Sequence, residues 1–270
     1  MASRKILYVC QEIMPYLPEN ELSGLCRRLS QAMQERGNEI RTFMPRYGCI
    51  NERRNQLHEV IRLSGMNLII DDNDHQLIIK VASIPSARIQ IYFIDNDDYF
   101  MKRGILTDKD GKEYTDNCER AIFYARGVLE TVKKLRWVPD VIHCHGWAAA
   151  LAPLYIKKAY NEEPSFRDTK VVIEASPKEF EQDLGTENAK FVEYKDVSYD
   201  DIKDICENKF GHTELVKIGV KFADGVIIEN SNTDSAIMEY AKSLNKPVLE
   251  PVEGDDFKEA YSTFYESLFD

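Results

Sequence analysis

The hydrophobic positions of the chain alternate between two spacings. Near the start, "RKILYVCQEI" is a continuous apolar run, the mark of a strand buried on both faces of a parallel sheet. After a loop around "PYLPENEL", the segment "GLCRRLSQAMQERG" sets Leu25, Leu29 and Met33 four residues apart, with Ser23 as the predicted cap and Gly37 as the stop. "NEIRTFMPRYG" then reads as a strand closed by a proline turn. Strand, helix and strand in this order predict a right-handed βαβ unit, the seed of a Rossmann-like sheet.

The middle of the chain changes period. "HEVIRLSGMNLIIDDNDHQLIIKVASIPSARIQIYFIDN" alternates apolar and polar residues through short segments, with turns at "DDND" and "IPSA". This predicts a β-hairpin insertion, with "IQIYFIDN" returning as a central strand. "YTDNCERAIFYARGVLETVKKL" is a long amphipathic helix with Asp116 or Thr115 as its cap. "WVPDVIHCHGW" is a strand, "AAALAPLYIKKAY" a helix and "TKVVIEAS" a strand. A polar stretch over 177–208 carries few signals. The remainder repeats the alternation: a helix at "GHTELVKIGVKFA", a strand at "DGVIIENS", a helix at "TDSAIMEYAKSLN", a strand at "KPVLEP" and a closing helix at "DDFKEAYSTFYESLF". The expectation is one doubly wound, mainly parallel α/β domain.

Composition narrows the function classes. The chain has 270 residues, of which 43% are hydrophobic, enough for a substantial core. A formal net charge of −11 disfavours nucleic acid and anionic membranes as partners but leaves a neutral ligand such as a carbohydrate open. The opening "MASRKILYVC" has too short an apolar run for a signal peptide, and no run reaches the roughly 18 apolar residues of a membrane span. With six scattered cysteines and no C-x-x-C, the expectation is a cytoplasmic chain with reduced thiols.

The chemistry-bearing stretch is "PDVIHCHGWAAALAPLYIKK". His143 and His145 are two residues apart on a strand and share a face, but sequence spacing supplies no third metal ligand, so no metal is expected. Neither G-x-S-x-G nor a glycine-rich phosphate loop is present, and Cys144 reads as a small buried hydrophobe. What remains is the carboxyl end of strands, where ligands gather in doubly wound sheets. Trp147 and His145 lie at one strand end, Asp95 and Tyr99 at another. An aromatic face stacking on a sugar with Asp and His taking hydroxyls is one reading, and ordinary packing of the same rings is the other.

Five segments in order resemble the N-terminal domain of the bacterial glycogen and starch synthases, ADP-glucose-dependent glucosyltransferases of GT-B fold. "KILYVCQEIMPY" resembles K-I-L-x-V-x-S-E-x-x-P-[FY], and "LSQAMQERGNEIRTFMPRYG" resembles L-x-x-A-L-x-x-x-G-H-x-V-x-x-x-x-P-x-Y. "IQIYFIDNDDYFMKRG" is similar to V-Y-F-I-D-x-x-x-Y-F-x-R, and "PDVIHCHGWAAALAPLYIK" to P-D-[VI]-[VI]-H-x-H-D-W-x-[AT]-x-L-x-P-x-Y-[IL]-K. "VKIGVKFADGVIIENSNTDSAI" follows the family's K-x-[GA]-[IL]-x-[YF]-A-D segment. The resemblance implies a GT-B N-terminal-type domain over residues 1–270, without the family's usual C-terminal nucleotide-binding domain. It also implies glucosyl transfer from ADP-glucose to an α-1,4-glucan, with Trp147, His145, Tyr99 and Asp95 on the substrate side.

The departures carry as much weight. The family's Lys-Thr-Gly-Gly-Leu-Gly-Asp loop falls on Pro18, Glu19, Asn20, Glu21, Leu22, Ser23 and Gly24, so a cation and N–H cradle have become a proline and two anions. The family's Asp before Trp147 is Gly146, and its catalytic histidine aligns on Ser176, near Glu174. ADP-glucose is therefore disfavoured, and transfer would need a partner chain supplying a second GT-B domain. The alternative is a non-catalytic relative that binds an α-glucan or maltooligosaccharide, or that regulates or scaffolds. No cofactor is expected.

Overall fold

The computed structural model describes residues 3–252 and 254–270. The first unit forms as the apolar runs require: β1 (Lys5–Cys10), α1 (Glu21–Glu35) and β2 (Glu39–Pro45). Helix α1 starts earlier than expected. Asn20, not Ser23, is its cap: the Ser23 N–H donates to Asn20 Oδ1 at 2.7 Å, and the Asn20 N–H donates back to Ser23 Oγ at 3.0 Å. Ser23 is the third helical residue of a capping box.

A short β3 (His58–Glu59) precedes the hairpin of β4 (Met66–Ile70) and β5 (Asn73–Ile84). Asp71 and Asp72 both take positive φ (46° and 61°), as a two-residue primed turn demands. β6 (Ile89–Asp95) runs antiparallel to β5 and parallel to β2, so it joins the insertion to the main sheet. α2 (Asn117–Leu135) follows. Asp116 stands at its cap position, but its carboxylate pairs with Arg103 and makes no side-chain capping bond.

β7 (Val141–His145), α3 (Ala152–Lys158) and β8 (Lys170–Ala175) continue the alternation. The polar stretch holds two short 3-10 turns and the single-turn α4 (Lys203–Cys206). Then come α5 (His212–Phe222), β9 (Gly225–Ile228), α6 (Ser235–Ser243), β10 (Val248–Leu249) and α7 (Phe257–Ser267). The strand order is β10-β9-β8-β7-β1-β2-β6-β5-β3, with β4 added on β5. From β10 to β6 every pairing is parallel.

Helices cover both faces, and strand alternation sorts the side chains between them. Glu174 and Gly225 face α7: Tyr261 bonds Glu174, and a Cβ at Gly225 would touch Phe264. Ile173, one residue from Glu174, faces α5, where a Cβ on Gly219 would lie 2.2 Å from its Cδ1. The fold is therefore the expected doubly wound α/β sheet with a hairpin insertion.

One buried cation organises the segment between β6 and α2. The Arg120 guanidinium, 1% exposed, donates to the carbonyls of Tyr99 (3.0 Å), Gly104 (2.7 Å) and Ile105 (2.8 Å) and to Asn117 Oδ1 (2.7 Å). All six cysteines are free and only Cys49 is exposed. Among the described residues no helix is long and apolar enough to cross a membrane.

Candidate functional site

The chain leaves β1 toward β2 and leaves β7 toward β8, so the sheet's switch point lies between β1 and β7. Gln11 and Glu12 follow β1, and Gly146 and Trp147 follow β7. The crevice between them is filled from within. Gln11 Nε2 donates to Glu179 Oε2 at 2.6 Å and to Glu12 Oε1 at 3.1 Å. The Trp147 N–H and the Ser176 hydroxyl point to Glu179 Oε1 at 3.3 and 3.2 Å, and Asn20 Nδ2 donates to Glu12 Oε2 at 2.9 Å.

Beside this network a cleft of about 300 Å³ opens over the ends of β1, β8 and β9, lined in part by Glu12, Asn20, Glu21, Lys178, Glu179 and Glu229. The only cation among these linings, Lys178, is paired with Glu181. Burial pushes the Glu12 carboxyl up against the bonds from Gln11 and Asn20. Burial, then the carboxylates of Glu174 and Glu179, push Glu229 up to about 8. Near neutral pH Glu229 is therefore held largely protonated, so the wall mixes a carboxyl donor with the carboxylate acceptors and offers an anion no free cation. The N-terminus of α1, where a phosphate would dock, has its Ser23 N–H bonded to Asn20 and Glu21 in its first turn.

Gly146 is indispensable to this packing. Its backbone (φ 78°, ψ 169°) lies in a region open essentially to glycine, and a Cβ there would sit 2.5 Å from Gln11 Oε1. Gly146→Ala is expected to cost about 1–3 kcal/mol in chemical denaturation and to expel Gln11 from Glu179. An unchanged midpoint would show that the turn readily adopts another backbone.

The four residues singled out from the sequence are placed as follows. Asp95 ends β6 and Tyr99 lies in the turn after it, at a strand three spacings or roughly 14 Å from β7. The two pairs share a sheet edge but not a pocket. Asp95 Oδ2 lies 2.8 Å from Lys80 Nζ, within a group completed by Arg46 and Glu52. The Tyr99 hydroxyl donates to Glu119 Oε2 at 2.8 Å and lies 2.9 Å from His75 Nε2, with its ring 2% exposed. Trp147 is 1% exposed, its ring edge-on to Phe180 at 5.8 Å. Neither ring offers a sugar a free face, because the hairpin residue His75 and the segment after β8 fold over them. Both rings are covered by packing in this conformation. Glu12, two residues past β1, and Glu229, directly past β9, also stand where the strand-end rule points, without a motif to single them out.

His145 lies beneath the cleft in a cluster that sequence spacing does not indicate. Register pairs His145 with Glu174 on the next strand, which supplies the third donor missing from the His-x-His pattern. His145 Nδ1 is 2.8 Å and His143 Nε2 3.3 Å from Glu174 Oε2, all fully buried. Burial, then the neighbouring His145, lower His143 to about 4. Burial opposes charge on His145 too, but Cys26 and the Glu174 carboxylate outweigh it and raise His145 to about 10. Tyr265 and Tyr261 of α7 close the cluster, 2.8 Å from His143 Nδ1 and 2.7 Å from Glu174 Oε1.

Comparison with known proteins agrees with this architecture. Residues 5–245 match the family model of the starch synthase catalytic domain. A glycogen synthase from Chlorobium limicola is 42% identical over 170 residues, which are 63% of this chain and 35% of that protein. One from Chlorobaculum tepidum is 36% identical over 221 residues, 82% of this chain and 44% of that protein. The chain thus spans about two fifths of the length of these relatives. The catalytic domain of starch synthase IV from Arabidopsis thaliana, bound to ADP and acarbose, superposes with a TM-score of 0.75 over 96% of this chain and 53% of that one. Its 14% identity makes this a likeness of fold, and that fold is the α/β arrangement of a GT-B catalytic domain. With the family model covering residues 5–245, the chain belongs to the starch synthase catalytic domain family.

Proposed function

We propose that this family member holds a neutral α-glucan or maltooligosaccharide at the carboxyl edge of its sheet and does not bind ADP-glucose. One observation carries the reading: Glu12, Glu21, Glu179 and Glu229 line the cleft beside an α1 terminus whose Ser23 N–H Asn20 already occupies. A diphosphate entering there would meet carboxylates in place of the family's lysine and glycines. Sugar hydroxyls are donors that such carboxylates accept, and an uncharged ligand pays no repulsion. His145 and Trp147 act from behind: Trp147 presents its N–H to Glu179, and His145 holds Glu174 below. Asp95 and Tyr99 support the neighbouring loop.

The family's own reaction, glucosyl transfer from ADP-glucose to an α-1,4-glucan with a partner chain bringing the phosphate-binding domain, is the alternative that membership favours. Calorimetric titration with maltoheptaose and, separately, ADP-glucose decides between them. The expected result is heat from maltoheptaose alone, with Glu179→Ala weakening it tenfold or more, since hydrogen bonds to charged groups are worth about 1.5–3 kcal/mol. Saturable binding of ADP-glucose would sink the non-transferring reading.

A further inference from the structure

We propose that His143, His145 and Glu174 form a buried site for one divalent first-row cation, zinc by its donor chemistry, which pins α7 to the sheet. The site is independent of what the cleft binds.

The donor set is two imidazoles and a carboxylate, a combination that zinc takes in proteins. Metal–ligand distances of about 2.0–2.1 Å at tetrahedral angles put neighbouring ligand atoms roughly 3.3 Å apart. Glu174 Oε2 lies 3.3 Å from His143 Nε2, the tetrahedral spacing, and 2.8 Å from His145 Nδ1, so seating an ion requires that second pair to part by roughly half an ångström. Each of the three residues offers one ligand atom within 4.8 Å of the other two.

The second observation is that these contacts are poorly directed. His143 Nε2, His145 Nδ1 and Glu174 Oε2 are all buried and face one another without a well-angled hydrogen bond. Buried polar atoms in that condition are costly, and a cation shared by all three would satisfy them together.

Around them the outer partners are in place. The Tyr265 hydroxyl lies 2.8 Å from His143 Nδ1, and when Nδ1–H donates to it Nε2 is left free to ligate. The Tyr261 hydroxyl donates to Glu174 Oε1 at 2.7 Å, leaving Oε2 for the metal. Both tyrosines belong to α7, so the ion would tie β7, β8 and α7 together. Tyr261 also lines a second cleft of about 260 Å³, with Glu21, Arg28 and Glu229 on its walls, so the cluster lies one side chain from an opening to solvent. Three protein donors leave one position for a water.

Two rivals are built into the same residues. A proton on His145 would neutralise Glu174 with no metal at all. Cys10 and Cys26 also lie within ligand range of His145 and would make a thiolate site instead.

The test is metal analysis of the full chain dialysed against zinc, then against metal-free buffer, with cobalt replacing zinc for spectroscopy. Expected are one zinc per chain, a melting temperature raised by zinc, and tetrahedral cobalt bands without thiolate-to-metal charge transfer. Tyr265→Phe should weaken zinc 10–100-fold, the usual effect of losing an outer partner, and Glu174→Gln should abolish retention. A folded wild-type chain that keeps no zinc and melts unchanged in its presence overturns the proposal in favour of the proton. A thiolate band, or full retention by Glu174→Gln, overturns the ligand assignment. Should Glu174→Gln fail to fold, the wild-type cobalt spectrum and the Tyr265→Phe affinity still decide.

Discussion

Replacing Arg120 with alanine is expected to lower the stability of the chain by about 3–5 kcal/mol, read from the denaturant midpoint at unchanged slope. The guanidinium is buried at the start of α2, and four oxygens surround it: the carbonyls of Tyr99, Gly104 and Ile105 and the side chain of Asn117. Those carbonyls belong to a loop with no ladder of its own, so the arginine stands in for backbone partners. Alanine would strand the acceptors and open a cavity next to Phe100, whose ring centre is 5.4 Å from the guanidinium carbon. Arg120→Lys should recover only part of the loss, because one ammonium lacks the fork that reaches carbonyls on several sides. A variant within 1 kcal/mol of wild type would mean that the loop holds itself.

Gly219→Ala is expected to destabilise by about 2–3 kcal/mol, opposite in sign to what helix propensity alone gives. Within α5, alanine should gain up to about 1 kcal/mol over glycine. The new Cβ, however, would lie 2.2 Å from Ile173 Cδ1 and 2.7 Å from the Ala150 carbonyl oxygen. The isoleucine tip can turn aside, but the carbonyl is backbone in the turn after β7 and cannot. Relieving the clash pushes α5 off β8 and disturbs the turn that holds Trp147. A stabilised variant in thermal melts would show that α5 does not press on this turn.

The sheet was largely legible because its strands are buried on both faces and so appear as uninterrupted apolar runs, as in β1, β7 and β8. The hairpin was legible from "DDND", since two consecutive positive φ values select such residues. The helix ends were less so. Asn20 caps α1 from within a stretch that reads as loop, and the predicted helix after Trp147 begins only at Ala152 because a 3-10 turn intervenes. Over 177–208 the buried residues Phe180, Leu184, Ala189, Val192, Val197, Ile202 and Cys206 follow neither period. Their burial comes from turns, not regular elements, and no pattern announces it.

The site was legible as an edge and not as a set of groups. Strand-end logic found where Trp147 and Tyr99 lie, but exposure depends on what folds over a ring, and Phe180 and His75 are remote in sequence. The pairing of His145 with Glu174 depends on inter-strand register, which a single strand's sequence does not contain.

The glycine at 146 has a bearing on how this chain could change over generations. Its backbone excludes side chains, and the volume a side chain would need is taken by Gln11, which in turn holds Glu179. An aspartate at 146, as in the family pattern, would therefore need both a new backbone at the turn and a smaller residue at 11, and shrinking position 11 releases Glu179. Substitutions at 11, 146 and 179 are expected to be non-additive.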